Sequence, residues 1–301
     1  MFEIRVPATT ANLGCGFDVA GLALTLYFTV RVSEVGDSLS IVNTGEGEGF
    51  LPNNEGHLFF RAMRAFWKEI GFPGCGVQSK AHNEIPVSRG LGSSASCVVA
   101  GMVTGNRLAG NLCSREDLMT MAARFEGHPD NVVPAFVGGL TTSYLGMKRI
   151  AYRRFSFFPD FEIVACVPGY SLYTAGMRQI LPERYSRRDV VFTLSRLAHL
   201  VGSVAQRDRD GFLDALDDVI HEPYRGERII GYRAIKDFIE REGLGRVVIS
   251  GSGPTLLLFL REELTDAVSR DVRKLFASCG VPNIQLIKTK WAEEGVRVND
   301  I

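Results

Sequence analysis

Residues 86–96, Pro86-Val87-Ser88-Arg89-Gly90-Leu91-Gly92-Ser93-Ser94-Ala95-Ser96, place two glycines and a serine cluster directly before a run of small residues that extends to 108. Gly90 and Gly92 have no Cβ, so the backbone there can approach a ligand and take positive φ. A helix that opens at Ser93 or Ser94 leaves its first N–H groups free, and with the helix dipole they attract an anion such as a nucleotide phosphate. The serine hydroxyls suit capping equally well. On these residues alone both readings stand, a phosphate loop or an ordinary loop with an N-cap. No lysine follows the glycines as GxxxxGK[ST] requires, and GxGxxG is absent, so a phosphate site here is of another type.

Two further stretches concentrate polar chemistry. Asn12 and Asp18 sit in the small, glycine-rich segment 11–18, placed either to meet a ligand's polar groups or to close turns on their own backbone. Glu126-Gly127-His128-Pro129-Asp130-Asn131 packs four polar or ionisable residues into six positions. A carboxylate there suits Mg²⁺, which takes one or two protein carboxylates together with phosphate and water. A structural histidine and a solvent-facing helix-end glutamate are the plainer alternatives. Gly251-Ser252-Gly253-Pro254 reads as a tight turn between two buried strands, with a phosphate-supporting loop as the second reading.

The elements that must hold these residues follow from periodicity and punctuation. Strands are predicted over 2–6, 19–26, 27–32, 39–42, 76–84, 140–144, 161–168, 247–250, 255–260 and, last in the chain, 284–289. Helices are predicted over 57–69, 95–108, 114–125, 187–207, 212–219, 229–242 and 266–279, with a turn or short helix at 174–182. Ser114-Arg115-Glu116-Asp117 matches a capping pattern. In 187–207 the residues Val190, Val191, Leu194, Leu197, Ala198 and Val201 form an apolar stripe. The basic and aromatic stretch 145–160 reads as a twisted edge hairpin rather than a single-stranded nucleic-acid surface.

A chain of 301 residues favours two domains, and the helices mixed with antiparallel strands in its second half indicate α+β layers. Lys plus Arg equals Asp plus Glu at 34 each, so global charge directs the chain to neither nucleic acid nor an anionic membrane. Six scattered cysteines form no CxxC, which leaves zinc and a disulfide framework unsupported and fits reduced thiols. Apolar runs fall far short of the roughly 20 residues that span a bilayer, and no signal-peptide pattern opens the sequence. The expectation is a soluble, cytoplasmic protein.

Residues 86–95 resemble the central phosphate motif of the small-molecule kinases that include galactokinase, homoserine kinase, mevalonate kinase and phosphomevalonate kinase (GHMP). Residues 251–255 resemble that superfamily's third motif and 9–18 its first, in matching order and spacing across essentially the whole chain. The form of 11–18, the hexad 126–131 and Glu222-Pro223-Tyr224-Arg225 resemble the homoserine kinase family in particular. Two departures stand out: Cys15 where a proline is usual, and His57 where an asparagine often lies near the nucleotide base.

The resemblance implies an α+β, two-domain GHMP kinase fold. Residues 1–155 would form a ribosomal protein S5 domain 2-like ATP-binding domain, and 156–301 a ferredoxin-like domain. It implies ATP-dependent phosphorylation of the L-homoserine side-chain hydroxyl in threonine biosynthesis, with ATP and Mg²⁺ as cofactors and a homodimer as the assembly. Pro86, Val87, Ser88, Arg89, Gly90, Leu91, Gly92, Ser93, Ser94, Ala95 and Ser96 would wrap the nucleotide. Ser94 and Glu126 would hold the metal, Asn131 would support that shell, and Thr174 would reach the reacting groups. Asn12 and Asp18 would hold homoserine, Asp18 pairing its ammonium. His128 would line the pocket, and Arg178 with Arg225 would grip the carboxylate, whose geometry matches a guanidinium fork. The rivals are a kinase of the same superfamily acting on L-threonine, mevalonate or another small alcohol, and a catalytically silent binding protein on the same fold.

Overall fold

Alternating apolar residues in the first part of the chain build a long antiparallel pair, β1 (Phe2–Asn12) with β2 (Gly16–Glu34). The runs expected at 19–26 and 27–32 are one continuous strand, because its partners change along it rather than its direction. The pairing register shifts at Pro7/Ala8, which absorbs the missing proline N–H in a bulge. The computed structural model describes residues 1–34, 38–155 and 161–301. Residues 156–160, which carry the expected domain boundary and the Phe157 and Phe158 end of the basic-aromatic stretch, lie outside the described residues.

β3 (Leu39–Gly45), α1 (Leu58–Ile70), β4 (Val77–Asn83), α2 (Ser93–Leu108), α3 (Arg115–Glu126), α4 (Val132–Val137), β5 (Leu140–Leu145) and β6 (Ile150–Phe155) complete the first half. The second half runs β7 (Glu162–Pro168), α5 (Thr174–Gln179), α6 (Arg187–Gln206), α7 (Arg209–Ala215), α8 (Glu222–Arg225), α9 (Tyr232–Arg241), β8 (Gly245–Ile249), β9 (Leu256–Leu260), α10 (Asp266–Ser278), β10 (Ile284–Thr289) and β11 (Arg297–Asp300). The first sheet has the order β11-β1-β2-β4-β3, with β5 also on β2 and β6 on β5. The second sheet is antiparallel, β10-β7-β9-β8.

The second sheet explains its own sequence. Val164, Cys166, Leu256 and Leu258 face a core with Ile235, Ile239, Val272 and Phe276, whereas Ile163, Ala165, Leu257 and Phe259 face another with Phe212, Leu200 and Val204. Strands covered on both faces need no polar alternation, which is why β7 and β9 are unbroken apolar runs. α2 is short of large side chains for a related reason. A Cβ on its Gly101 would lie 2.2 Å from the Phe59 carbonyl, so the small residue admits α1, whose Phe59, Phe60 and Phe66 are fully buried. Each such aromatic contributes roughly 2–3 kcal/mol by leaving water.

Two further expectations are corrected. The chain's last strand is β11, which crosses back to pair with β1, rather than β10. The helix expected at 212–219 is α7 and stops at Ala215. The apolar stripe of α6 is largely uncovered: Leu200 and Val204 turn inward, while Val190, Val191 and Leu194 are exposed. Helical spacing identifies an apolar face without saying what lies against it. The two-sheet α+β architecture itself is as expected.

Candidate active site

A cleft of about 680 Å³ is lined from both halves of the chain. On one wall the glycine-serine loop enters α2. Gly92 is the N-cap residue with φ 70°, and no side chain caps the helix. The serine hydroxyls do not take the capping role for which their type suits them. Ser94 Oγ donates to Glu126 Oε1 at 2.8 Å, and Ser96 Oγ donates to the Pro7 carbonyl at 2.8 Å. The helix entrance therefore keeps its first-turn donors clear of side chains, the arrangement that attracts anions.

Neighbouring backbone holds the loop in this shape. A Cβ on Gly90 (φ 82°) would lie 2.3 Å from the Ser250 carbonyl, and one on Gly92 2.0 Å from Thr9 Oγ1. Ser250 Oγ donates to the Gly90 carbonyl at 2.7 Å, and Thr9 N–H to the Leu91 carbonyl at 3.1 Å. The turn 250–254 thus buttresses the loop from behind. Val87, Ser88, Arg89, Gly90, Gly92, Ser93, Ser94 and Ala95 line the cleft, whereas Pro86, Leu91 and Ser96 do not. Leu91 is fully buried and anchors the loop in the core.

Glu126 ends α3, where Gly127 in the left-handed region (φ 90°) stops the helix. Burial pushes the Glu126 carboxyl upward, opposed by the Ser94 hydrogen bond. A cation would favour its ionised form. Ser94 Oγ and Glu126 Oε1 are the sparse oxygen set that suits Mg²⁺, which relies on phosphate and water for its other ligands. No cluster of three or more His, Cys, Asp and Glu able to cage a metal occurs among the described residues.

The opposite wall is built of charges that already have partners. Arg178 on α5 makes a two-pronged ion pair with Asp18, 2.7 Å on each prong. Arg225, on the short α8, is buried and donates to the carbonyls of Gly251 and Met177 at 3.0 and 3.3 Å. Both guanidiniums lie over the Phe17 ring, 5.6 and 5.2 Å from its centre. His128 Nδ1 meets Asp130 Oδ1 at 2.7 Å, and that hydrogen bond raises the imidazole pKa. Asn12 is occupied internally: its amide donates to the Gly251 carbonyl (2.7 Å) and its oxygen accepts from the Asp18 N–H (3.1 Å). Thr174 Oγ1 lies 3.2 Å from Ser252 Oγ, and Asn131 Oδ1 accepts from Thr9 Oγ1 at 2.8 Å.

The structure therefore gathers Asn12, Asp18, Glu126, His128, Asn131, Thr174, Arg178 and Arg225 around one cleft. Phe17, the platform beneath the arginines, stands inside a motif of the sequence, but nothing local shows what it touches. Asp130, a carboxylate of the hexad that suits a metal by type, instead bonds His128 two positions away. His57 is buried, caps α1 by accepting from Phe59 N–H at Nδ1, and has no partner at Nε2. Burial pushes its pKa down to about 4.

The family model for the GHMP kinases N terminal domain matches residues 57–139. Homoserine kinase of Clostridium botulinum (strain Okra / Type B1) is 35% identical over 301 residues, covering 100% of this chain and 97% of its own. Homoserine kinase of Moorella thermoacetica is 40% identical over 258 residues, covering 86% and 87%. The crystal structure of homoserine kinase from Cytophaga hutchinsonii superposes with a TM-score of 0.83 over 99% of this chain and 96% of that one, at 24% identity.

Proposed function

The chain belongs to the homoserine kinase family of the GHMP kinases, and from that membership and the cleft we infer that it transfers the γ-phosphoryl group of ATP to the side-chain hydroxyl of L-homoserine. The products are O-phospho-L-homoserine and ADP, and the step serves threonine biosynthesis. ATP and Mg²⁺ are its cofactors. The single observation that carries the substrate side is the Asp18–Arg178 pair inside the cleft. An amino-acid zwitterion carries the complementary charges and enters by exchanging one ion pair for two, ammonium on Asp18 and carboxylate on Arg178 and Arg225. Mevalonate, with a carboxylate and no ammonium, would leave Asp18 without a partner.

On the phosphate side, the loop from Val87 to Ala95 and the start of α2 hold the ATP phosphates through backbone N–H groups. Ser94 and Glu126 would hold Mg²⁺, which would supply positive charge against the phosphates, and Asn131, which accepts from Thr9 behind the loop, would support that shell. The acceptor oxygen bonds to the γ-phosphorus as the bond to the ADP oxygen breaks. Catalysis of this type rests on alignment and charge stabilisation. The carboxylates of the cleft are occupied: Asp18 by Arg178, Asp130 by His128, Glu126 by Ser94. The hydroxyl proton accordingly passes to a phosphoryl oxygen or to solvent rather than to a dedicated carboxylate base. Thr174 and His128 orient the alcohol.

The same proposal includes a division into 1–155 and 156–301. It is supported by the separation of β1–β6 and β7–β10 into two sheets, with β11 returning across the division. A homodimer is supported by the uncovered Val190, Val191 and Leu194 on α6, and a cytoplasmic location by cysteines scattered without a disulfide-framework spacing. No helix among the described residues is long and apolar enough to cross a membrane.

Coupled ATP turnover with Mg²⁺ tests the function, comparing L-homoserine, L-threonine, L-serine and mevalonate. Preference for homoserine is expected. Equal or better turnover of mevalonate would overturn the charge-exchange reading, and equal turnover of L-threonine would move the substrate while keeping the zwitterion site.

A further inference from the structure

Arg89 lies within the phosphate loop, where a cation would ordinarily be assigned to the phosphates. Its guanidinium is occupied otherwise. Nε donates to the Pro168 carbonyl at 3.0 Å and Nη2 to the Gly169 carbonyl at 3.2 Å, both at the end of β7. Nη1 donates to the Val87 and Ser88 carbonyls of its own loop, at 3.2 and 3.5 Å. No carboxylate pairs with it among the described residues. Its backbone is tied down as well, since the Arg89 carbonyl accepts from Thr255 N–H at 3.3 Å.

Two features give this bracket consequences for chemistry. Ser88 has φ 57°, in the left-handed region that a serine seldom occupies, and the side chain of the next residue grips the carbonyls on either side of that turn. From Gly169 the chain runs directly to α5, which brings Thr174 to Ser252 and Arg178 to Asp18. The loop that holds the phosphoryl donor is thereby joined, through one planar side chain, to the segment that orients the acceptor.

We propose that Arg89 is a positioning residue that sets the distance between the phosphate loop and the acceptor-binding helix α5, and that it is not a phosphate ligand. This rests on the kinase reading above. Its four acceptors are spread over two chain segments, which a rigid fork with five donors can reach at once. A lysine ammonium, a compact point charge, cannot hold that arrangement.

Arg89→Lys and Arg89→Ala separate the two roles. ATP affinity is measured by direct titration in the absence of acceptor, and kcat and the homoserine KM by coupled turnover. Misplacement of reacting groups by about 1 Å lowers rates on the order of a hundredfold. For both variants we expect kcat to fall at least about tenfold while the ATP Kd stays within about threefold of the wild-type value, with lysine giving no appreciable rescue. A phosphate ligand would give the opposite pattern: ATP affinity lost in Arg89→Ala and largely restored by Arg89→Lys. That pattern, or a kcat within about threefold of wild type in Arg89→Ala, overturns the proposal. Melting temperatures are recorded alongside, and the lysine variant, which keeps stem and charge, carries the test if alanine does not fold. Failure of the wild-type protein to phosphorylate homoserine would overturn the kinase reading and the bracket's role with it. A normal wild-type rate with unaffected variants would overturn the bracket alone.

Discussion

The two walls of the cleft are built on opposite principles. The phosphate wall is backbone: glycines held against neighbouring carbonyls, a helix entrance with no side-chain cap, and a single hydroxyl–carboxylate contact between Ser94 and Glu126. The acceptor wall is side-chain charge: Asp18 is paired with Arg178 and Asp130 with His128, while Arg225 is held by the Gly251 and Met177 carbonyls. One wall offers open donors to any polyphosphate, and the other yields only to a ligand that replaces the pairs it disrupts. On the proposed reading, the general part of the chemistry belongs to the first wall and substrate choice to the second.

That division can be broken most severely at Gly90. Gly90→Ala forces a Cβ to 2.3 Å from the Ser250 carbonyl at positive φ, and kcat/KM should fall by about three orders of magnitude for every acceptor, with stability lowered by about 3 kcal/mol or more in urea melts. Gly127→Ala sharpens the contrast. Gly127 also has positive φ, but a Cβ there meets nothing within 4 Å, so only the backbone cost of about 1–2 kcal/mol is expected. Equal effects at the two glycines would show that space behind the loop is unimportant.

On the acceptor wall, Arg225→Ala leaves Asp18 and a substrate carboxylate short of a buried cation. The homoserine KM should rise about a hundredfold with ATP affinity unchanged, in line with the roughly 2–5 kcal/mol typical of truncating one buried charged partner. Loss of ATP binding in that variant would contradict the separation of the walls. Glu126→Gln should act in the reverse sense, raising the Mg²⁺ concentration needed for half-maximal rate about tenfold or more while sparing the homoserine KM.

An effect confined to acid pH is expected at His57. His57 has its pKa lowered to about 4 by burial. A base depressed in this way contributes stability that is full above its unfolded value of 6.5 and is lost as pH falls toward 4. Urea midpoints measured from pH 7 to 4 should therefore drop more in the wild-type protein than in His57→Asn, by on the order of 2 kcal/mol at the acid end. Parallel curves would remove His57 from the acid sensitivity.

What could be seen in the sequence follows the same division. The phosphate loop, the turn before Pro254 and the capping box at Ser114 are legible because glycine conformation and capping are decided within a few residues. The acceptor wall is not legible in that way. Asp18 and Arg178 are 160 positions apart, and no local pattern shows that they meet. Phe17 beneath two arginines and β11 returning to β1 are equally non-local. Ser94 shows the limit even within a legible motif: its type suits a cap, and Glu126 on another helix claims its hydroxyl instead.

The most direct test of the charge-exchange account compares L-homoserine with 4-hydroxybutyrate, which lacks the ammonium, and 3-amino-1-propanol, which lacks the carboxylate. The account predicts that each analogue loses at least about a hundredfold in kcat/KM, because either one splits the Asp18–Arg178 pair and leaves a charge without a partner. Turnover of either analogue within about tenfold of homoserine would contradict it, since the paired wall would then play no part in choosing the substrate.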